Sequence, residues 1–248
     1  MSSNALLKAL EALETFQNTS GSLSVMNIAE LKGETLSSVQ RSVYTLEALG
    51  YLEREENGKR FVPGRSCLRP VYGYLRNNRL LENATPYLID LSERLASRAD
   101  LSVLDGNDIV YLSRIPSRDE LLNLAPLGRR WPAIHTASGR AILAAMTDED
   151  RSKVLATTSF AKTTDHSLDT IEDVTIAINE ARETGYAFQS EEVLIGAASV
   201  SAAVVGMDGR VYGAIILGGP VAVFQDVNQR HVFGTAVHKA AQEIGAHI

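Results

Sequence analysis

Cysteine is all but missing from this chain. Cys67 stands alone among 248 residues, which excludes an internal disulfide and any zinc cluster built on cysteines. Histidine offers no substitute, because His135, His166, His231, His238 and His247 are scattered, with no H-E-x-x-H and no clustered carboxylates. No metal and no cofactor are expected. A Walker loop and a G-x-G-x-x-G are both absent, so nucleotide binding has no support, and no G-x-S-x-G elbow presents a nucleophile. No apolar run is long or uniform enough to span a bilayer. The N-terminus, MSSNALLKALEALETF, lacks the basic start and unbroken apolar core of a signal peptide, so a cytoplasmic location is expected. Positive charge is also scarce: the net charge is −6. Residues 1–82 nevertheless carry ten Lys/Arg against nine Asp/Glu, which puts the acidic excess in the remainder.

What is present begins with residues 24–65. SVMNIAEL reads as a short helix, Lys32-Gly33-Glu34 as a turn, and Thr35 to Leu49 as a second helix ended by Gly50 in a left-handed C′ position. Leu36, Val39, Val43, Leu46 and Leu49 recur at spacings of three and four and predict one apolar stripe facing a core. Thr35 suits the N-cap. Ser37, Gln40, Arg41 and Tyr44 fall on the opposite side, with Ser38 and Thr45 flanking them. Gln40 and Arg41 are the base-reading types, able to make bidentate contacts to adenine and guanine edges, and Ser, Thr and Tyr reach phosphates or bases. Tyr51-Leu52 and Phe61-Val62 then flank Glu56-Asn57-Gly58, a hairpin signal, with Lys59, Arg60 and Arg65 placed to meet phosphate. Helix, turn, helix and hairpin in that order make a winged helix-turn-helix, whose second helix enters the major groove of double-stranded DNA. So few cations predict modest affinity per monomer, and hence a homodimer.

The rest is mixed α and β. Leu6, Leu7, Leu10, Leu13 and Phe16 give a first helix an apolar face. Residues 66–82 read as a helical linker open to a kink where Pro70 and Gly73 weaken it, and Thr85-Pro86 as the capped start of the next helix. LSVLDGNDIVYLSRI predicts a hairpin at Gly106-Asn107, residues 120–126 a further strand, and Ala137–Met146 a helix. Thr147 begins another helix, and Asp169 with Glu172 resembles a capping box for a helix ended by Gly185. ASVSAAVVG and RVYGAIILGG, joined by Met207-Asp208-Gly209, are strong strands, and Asp226 opens a final helix. The expected class is α+β, with an antiparallel sheet flanked by helices. His135 lies beside Thr136 and Ser138, but no acid partner is evident, so an ordinary pocket or turn histidine is expected. His231 and His238 read as a surface stripe, and Glu191-Glu192 as a solvated edge.

The whole chain resembles the IclR family of bacterial transcriptional regulators. The resemblance rests on LEALGYLERE, the hairpin followed by PGR, VLDGNDIVYLSRI, GRRWPAIHTASGRAILA, ETGYAFQSEE and Gly218-Gly219-Pro220, taken in that order and spacing. It implies a winged-helix domain over 1–65, a linker helix over 66–82 and a GAF-like effector domain over 83–248. It also implies dimers, or dimers of dimers, on a palindromic operator, with a small carboxylate as effector. Family pocket positions match the backbone of Ala137 and Ser138, and the side chains of Gln189, Ser199, Ile216 and Gly218. Sensors of two-carbon acids carry Asp, Cys, Ser and Ser at the last four places, so this chain departs at all four. The departures imply a larger or more apolar effector. PAIHTASGRA is closer to members sensing aromatic acids of the protocatechuate or hydroxybenzoate type. Ser201 is grouped with these positions; the competing reading is that Ser199, Ser201 and Ile216 only complete the sheet. Trp131 either walls the pocket or plugs a dimer contact. Two other readings of the residues stay open: an enzyme built on the C-terminal domain, and a winged helix that binds protein.

Overall fold

The computed structural model describes residues 3–56, 58–117 and 127–248. Asn57, at the expected hairpin turn, and the strand expected over 120–126 lie outside the described residues. The chain forms two compact units, Met1–Asn77 and Asn78–Ile248.

The N-terminal unit comprises α1 (Asn4–Glu14), β1 (Leu23–Ser24), α2 (Val25–Lys32), α3 (Leu36–Ala48), β2 (Leu52–Arg54), β3 (Arg60–Pro63) and α4 (Leu68–Arg76). Its antiparallel strands lie in the order β1-β3-β2. Ser24 and Asn27 close a capping box on α2, and Gly33 ends that helix at φ 63°. Ala12, Phe16, Ile28, Val39, Val43, Leu46, Leu52 and Phe61 form the core. The stripe on α3 is shorter than its spacing predicts, because Leu36 and Leu49 are 53% and 60% exposed. They sit at the two ends of the helix, beyond the turns that α1, α2 and β2 cover. Gly50 does take the left-handed conformation (φ 75°), and Tyr51 N donates to Leu46 O at 2.8 Å while Gly50 N donates to Glu47 O at 2.9 Å. This double bond satisfies the last carbonyls of α3 and turns the chain into β2.

Glu34, in the turn before α3, ties three helices. It accepts from Lys8 on α1 (3.0 Å) and Ser38 on α3 (2.7 Å) and pairs with Lys32 on α2 (3.1 Å). Those hydrogen bonds, Ser38's first, lower its carboxyl from an ordinary 4.5 to about 2. A group depressed on folding stabilises fully above its unfolded value and loses that contribution as pH falls through the folded one. Thermal melts of the full chain between pH 4.5 and 2 should therefore fall less steeply for Glu34→Gln than for the wild type; parallel curves would count against the tie.

The C-terminal unit comprises α5 (Arg79–Leu95), β4 (Arg98–Asp105), β5 (Asp108–Ile115), β6 (Arg130–Pro132), α6 (Ala137–Ala145), α7 (Asp148–Thr157), α8 (Ile171–Thr184), β7 (Ala187–Ser190), β8 (Ala197–Val205), β9 (Val211–Pro220), α9 (Val221–Phe224) and α10 (Val227–Gly245). Among the described residues the sheet has six antiparallel strands in the order β6-β5-β4-β9-β8-β7. One face packs on α5, α9 and α10 through Leu101, Val200, Ile215, Leu217, Phe233 and Val237. The other face lies under α6, with Ala214 against Ile142.

Three sequence expectations need correcting. The linker over 66–82 is not one helix: a 3-10 turn at Arg65–Cys67 leads into α4, the chain breaks at Asn77-Asn78, and Asn78 caps α5 by accepting from Leu81 N at 3.0 Å. Thr85-Pro86 is therefore the interior of α5 rather than its start. An interior proline costs about 3 kcal/mol. Leu80, Leu88 and Leu91 are buried on both sides of it, and each contributes roughly 1.5–3 kcal/mol, so packing outweighs the lost bond. The cap of α8 is Thr170, which accepts from Asp173 N at 3.1 Å, one residue beyond the Asp169/Glu172 pair; Asp169 pairs with Lys162 instead.

Candidate nucleic-acid interface and ligand pocket

The outer face of α3 presents Ser37, Gln40, Arg41, Tyr44 and Thr45 to solvent. Gln40 Nε2 donates to Tyr44 Oη at 3.0 Å, one turn along, and the Thr45 hydroxyl is turned back onto Arg41 O at 2.9 Å. Thr35 stands at the N-cap without a capping bond from its side chain, its hydroxyl 3.4 Å from that of Ser37. Ser38 is half-buried and drawn aside to Glu34 and Lys8. Lys59 is exposed near the end of the hairpin. Arg60 is not at the tip: its guanidinium folds across β1 onto Ser22, with Nε donating to Ser22 Oγ at 2.9 Å and Nη2 to Ser22 O. Arg65 pairs with Glu53.

Sequence reasoning missed Arg54. From β2 it grips Glu47 of α3 through two bonds of 2.8 and 2.7 Å and donates to Gly58 O at 2.7 Å. Its guanidinium also lies 4.4 Å from the Phe61 ring and 5.7 Å from that of Tyr44. One side chain thus fixes the hairpin against the outer face of α3. Its partners lie on α3, the hairpin turn and β3, and spacing within any one element does not reveal contacts between elements.

In the C-terminal unit, register gathers most of the expected pocket positions into rows on the face beneath α6. Gln189 is opposite Ser199, Ser199 opposite Gly218, and Gly218 opposite Arg98. The next row holds Ser201, Ile216, Asp100 and Arg114. A third has Ser102 between Ala214 and Tyr111. Gln189 Nε2 donates to Ser199 Oγ at 3.0 Å, and its Oε1 accepts from Glu192 N at 3.2 Å. Ser201 Oγ donates to Ile215 O at 2.7 Å, so that hydroxyl is spent within the sheet. Trp131 packs on the same face, against the cluster of Ile109, Ala133, Ile142 and Ala214, which adjoins the third row. From β6 it pairs with Ile109 of β5, three rows from Gly218 and roughly 20 Å along the strands.

At the N-terminus of α6, Thr136 accepts from Gly139 N at 3.0 Å, and Arg140 N donates to Thr136 O at 3.1 Å. The amides of Ala137 and Ser138 remain, and no carbonyl of their own helix can reach them. Both residues are buried. An amide pair at a helix start suits an anion.

His135 is fully buried, with Nε2 3.0 Å from Leu168 O and Nδ1 3.1 Å from Thr163 Oγ1. A carbonyl can only accept, so Nε2 carries the proton and Nδ1 accepts from the threonine. Burial lowers the imidazole's pKa, which keeps the ring neutral. It is a structural strut. His238 is likewise tied, through Nδ1 to Gly185 O at 2.8 Å, rather than lying on a free surface stripe.

Glu192 corrects the solvated-edge expectation: it is 5% exposed and ion-paired with Arg140, itself 2% exposed. The second group missed is on β4, where Asp100 is 0% exposed between Arg98 Nε at 2.8 Å and Arg114 Nε at 3.5 Å. Burial, with the Asp100 carboxylate nearby, pushes the Tyr111 phenol up to about 12. RADLSVLD did carry a signal. It alternates polar with apolar residues, although helices cover both faces of the sheet, and alternation without a solvent face marks a polar-lined site.

Two family models match. The helix-turn-helix domain of IclR covers residues 5–56, and the C-terminal region of the bacterial transcriptional regulator IclR covers residues 72–246. The chain is 27% identical to the Pca regulon regulatory protein of Pseudomonas putida, over 85% of this chain and 72% of that protein. It is 28% identical to the HTH-type transcriptional regulator XynR of Escherichia coli, over 85% of this chain and 83% of the other. In fold it is similar to a crystal structure of an IclR homolog from Microbacterium hydrocarbonoxydans complexed with 4-hydroxybenzoate, with a TM-score of 0.78, 22% identity and 98% of each chain covered. Its two units are thus a DNA-binding helix-turn-helix and an effector domain, the parts of a transcription factor rather than an enzyme. The chain belongs to the IclR family of bacterial transcriptional regulators.

Proposed function

We propose that the protein is a cytoplasmic regulator whose affinity for a palindromic operator is set by a small carboxylate held between α6 and the sheet. The observation that carries this reading is the division of labour on α3: Val39, Val43 and Leu46 are sealed in the core while Gln40, Arg41 and Tyr44 face outward. Gln40 and Arg41 read base edges. Ser37, Tyr44 and Lys59 contact the backbone, with Thr35, Ser38 and Thr45 at the margin and Arg60 bracing the hairpin. A homodimer, alone or paired into a tetramer, is supported by the apolar groove of the N-terminal unit, where Leu6, Leu10 and Leu49 line a surface open to solvent.

The effector reading rests on the row formed by Gln189, Ser199 and Gly218 and on the amides of Ala137 and Ser138. Ile216 and Gly218 make the pocket less polar than in sensors of two-carbon acids, which favours an aromatic acid. The 4-hydroxybenzoate complex of the Microbacterium hydrocarbonoxydans homolog supports the same class. Ligand control requires that the acid bind one arrangement of the regulator better than the other. The test couples a thermal-shift screen of aromatic and aliphatic carboxylates to gel shifts on DNA upstream of the protein's own gene. One acid should both raise the melting temperature and change the shift. Stabilisation by none would remove the sensor reading, and no salt-sensitive DNA binding would remove the regulator reading.

A further inference from the structure

We propose that Arg98 is the residue that binds the acid group in this pocket, and that Gly218 is glycine so that the guanidinium can lie there. The inference rests on the reading of this face as the effector site, and assigns its charge recognition to a side chain rather than to the helix amides alone. β4 lies inside the sheet, with α5 on one face and α6 on the other, where near-continuous apolar sequence is the rule. Arg98, Asp100 and Ser102 instead stand on the α6 face. The side chains of Arg98 and Asp100 are 11% and 0% exposed. Burying charge is costly even when it is paired, so a buried arginine in a pocket row calls for a role beyond stability.

Two separate observations direct that role toward a ligand. A Cβ built on Gly218 would meet Arg98 Nη2 at 2.4 Å, so the guanidinium reaches from β4 over β9, into the row that contains Ser199 and Gln189. Asp100 holds the Nε edge, which leaves the orientation of the planar fork fixed. Independently, Ser102 Oγ is fully buried on the same face and has no hydrogen-bond partner among the described residues. A buried hydroxyl without a partner is rare, and a ligand oxygen would satisfy it. Ser102 stands two rows from Arg98, roughly 13 Å along β4, so it would meet the far end of an effector, while the planar fork takes the carboxylate, whose two oxygens accept from it.

The test uses the full chain with benzoate, 4-hydroxybenzoate, glyoxylate, pyruvate and succinate as probes, and benzamide as the uncharged control. Melting shifts and titration calorimetry are read for the wild type, Arg98→Ala, Arg98→Lys and Gly218→Ala, with far-UV circular dichroism to confirm folding. The acid that stabilises the wild type should bind roughly ten- to a hundredfold more weakly to Arg98→Ala, the range for losing a charged hydrogen bond. Gly218→Ala should reproduce that loss with Arg98 still present, because the new methyl displaces the guanidinium. Arg98→Lys should fall between, having the charge without the fork. Benzamide should not distinguish wild type from variants. If no probe stabilises the wild type, the sensor reading fails and this inference with it. An acid that binds Arg98→Ala as tightly as wild type overturns the inference alone.

Discussion

Replacing Glu192 by alanine is expected to destabilise the C-terminal unit by about 3–5 kcal/mol, the range for breaking a buried ion pair from one side. Arg140 is committed inside the protein: Nε donates to Ile134 O at 2.7 Å, Nη1 to Phe188 O at 3.4 Å, and Nη2 to the Glu192 carboxylate. Removing the carboxylate strands a guanidinium where water cannot replace it. It also frees Leu168 N, which donates to Glu192 Oε2 at 3.3 Å. The pair joins α6 to the loop after β7 and to residue 168, so local loosening should spread to Gln189, which accepts from the Glu192 amide. Urea denaturation of the full chain, followed by fluorescence of Trp131 in this unit, measures the loss. Glu192→Gln should cost less, because it can keep part of the hydrogen bonding. A double change, Arg140→Met with Glu192→Leu, should cost less than either disruptive single change, since no charge is left stranded. A loss below about 1 kcal/mol for Glu192→Ala would mean that solvent already reaches the pair.

That pair also shows where reading a sequence stops. Arg140 and Glu192 are 52 positions apart, and no local pattern couples them. Periodicity did locate α3, the hairpin closing at Asp105 and Asp108, and the β8–β9 pair, because each is fixed by neighbours a few residues away. The limits of those elements were less legible. Leu36 and Leu49 continue the apolar spacing of α3 past the reach of its packing partners. Thr85-Pro86 has the chemistry of a helix start, yet Asn78 caps α5 and the leucines on either side of the proline hold it helical. At the pocket, the resemblance supplied positions that register does gather into rows, but it was silent on Arg98. The polar alternation of RADLSVLD was visible throughout. Its meaning depended on knowing that β4 has helices on both faces, and only the assembled sheet shows that.

Arg41→Ala should weaken operator binding by about 1–3 kcal/mol for each base contact removed, the usual worth of a good bidentate pair. In a homodimer the substitution removes one such contact from each half-site. The combined effect should therefore be about thirtyfold or more. The kind of contact is distinguishable as well as its size. A base-reading arginine leaves the salt dependence of binding nearly unchanged and relaxes preference at one position of the site. A phosphate-binding arginine weakens all sequences alike and reduces the salt slope by about one. Lys59→Ala, in the hairpin, should behave in the second way. Gln40 is held by Tyr44 at 3.0 Å, so Tyr44→Phe tests whether that bond orients the amide for an adenine edge. Titrations of operator and scrambled DNA at several salt concentrations supply all of these quantities. An Arg41→Ala protein with wild-type affinity and wild-type salt slope would place the outward face of α3 away from the groove, and the net charge of −6 would then weigh against DNA contact by any other surface.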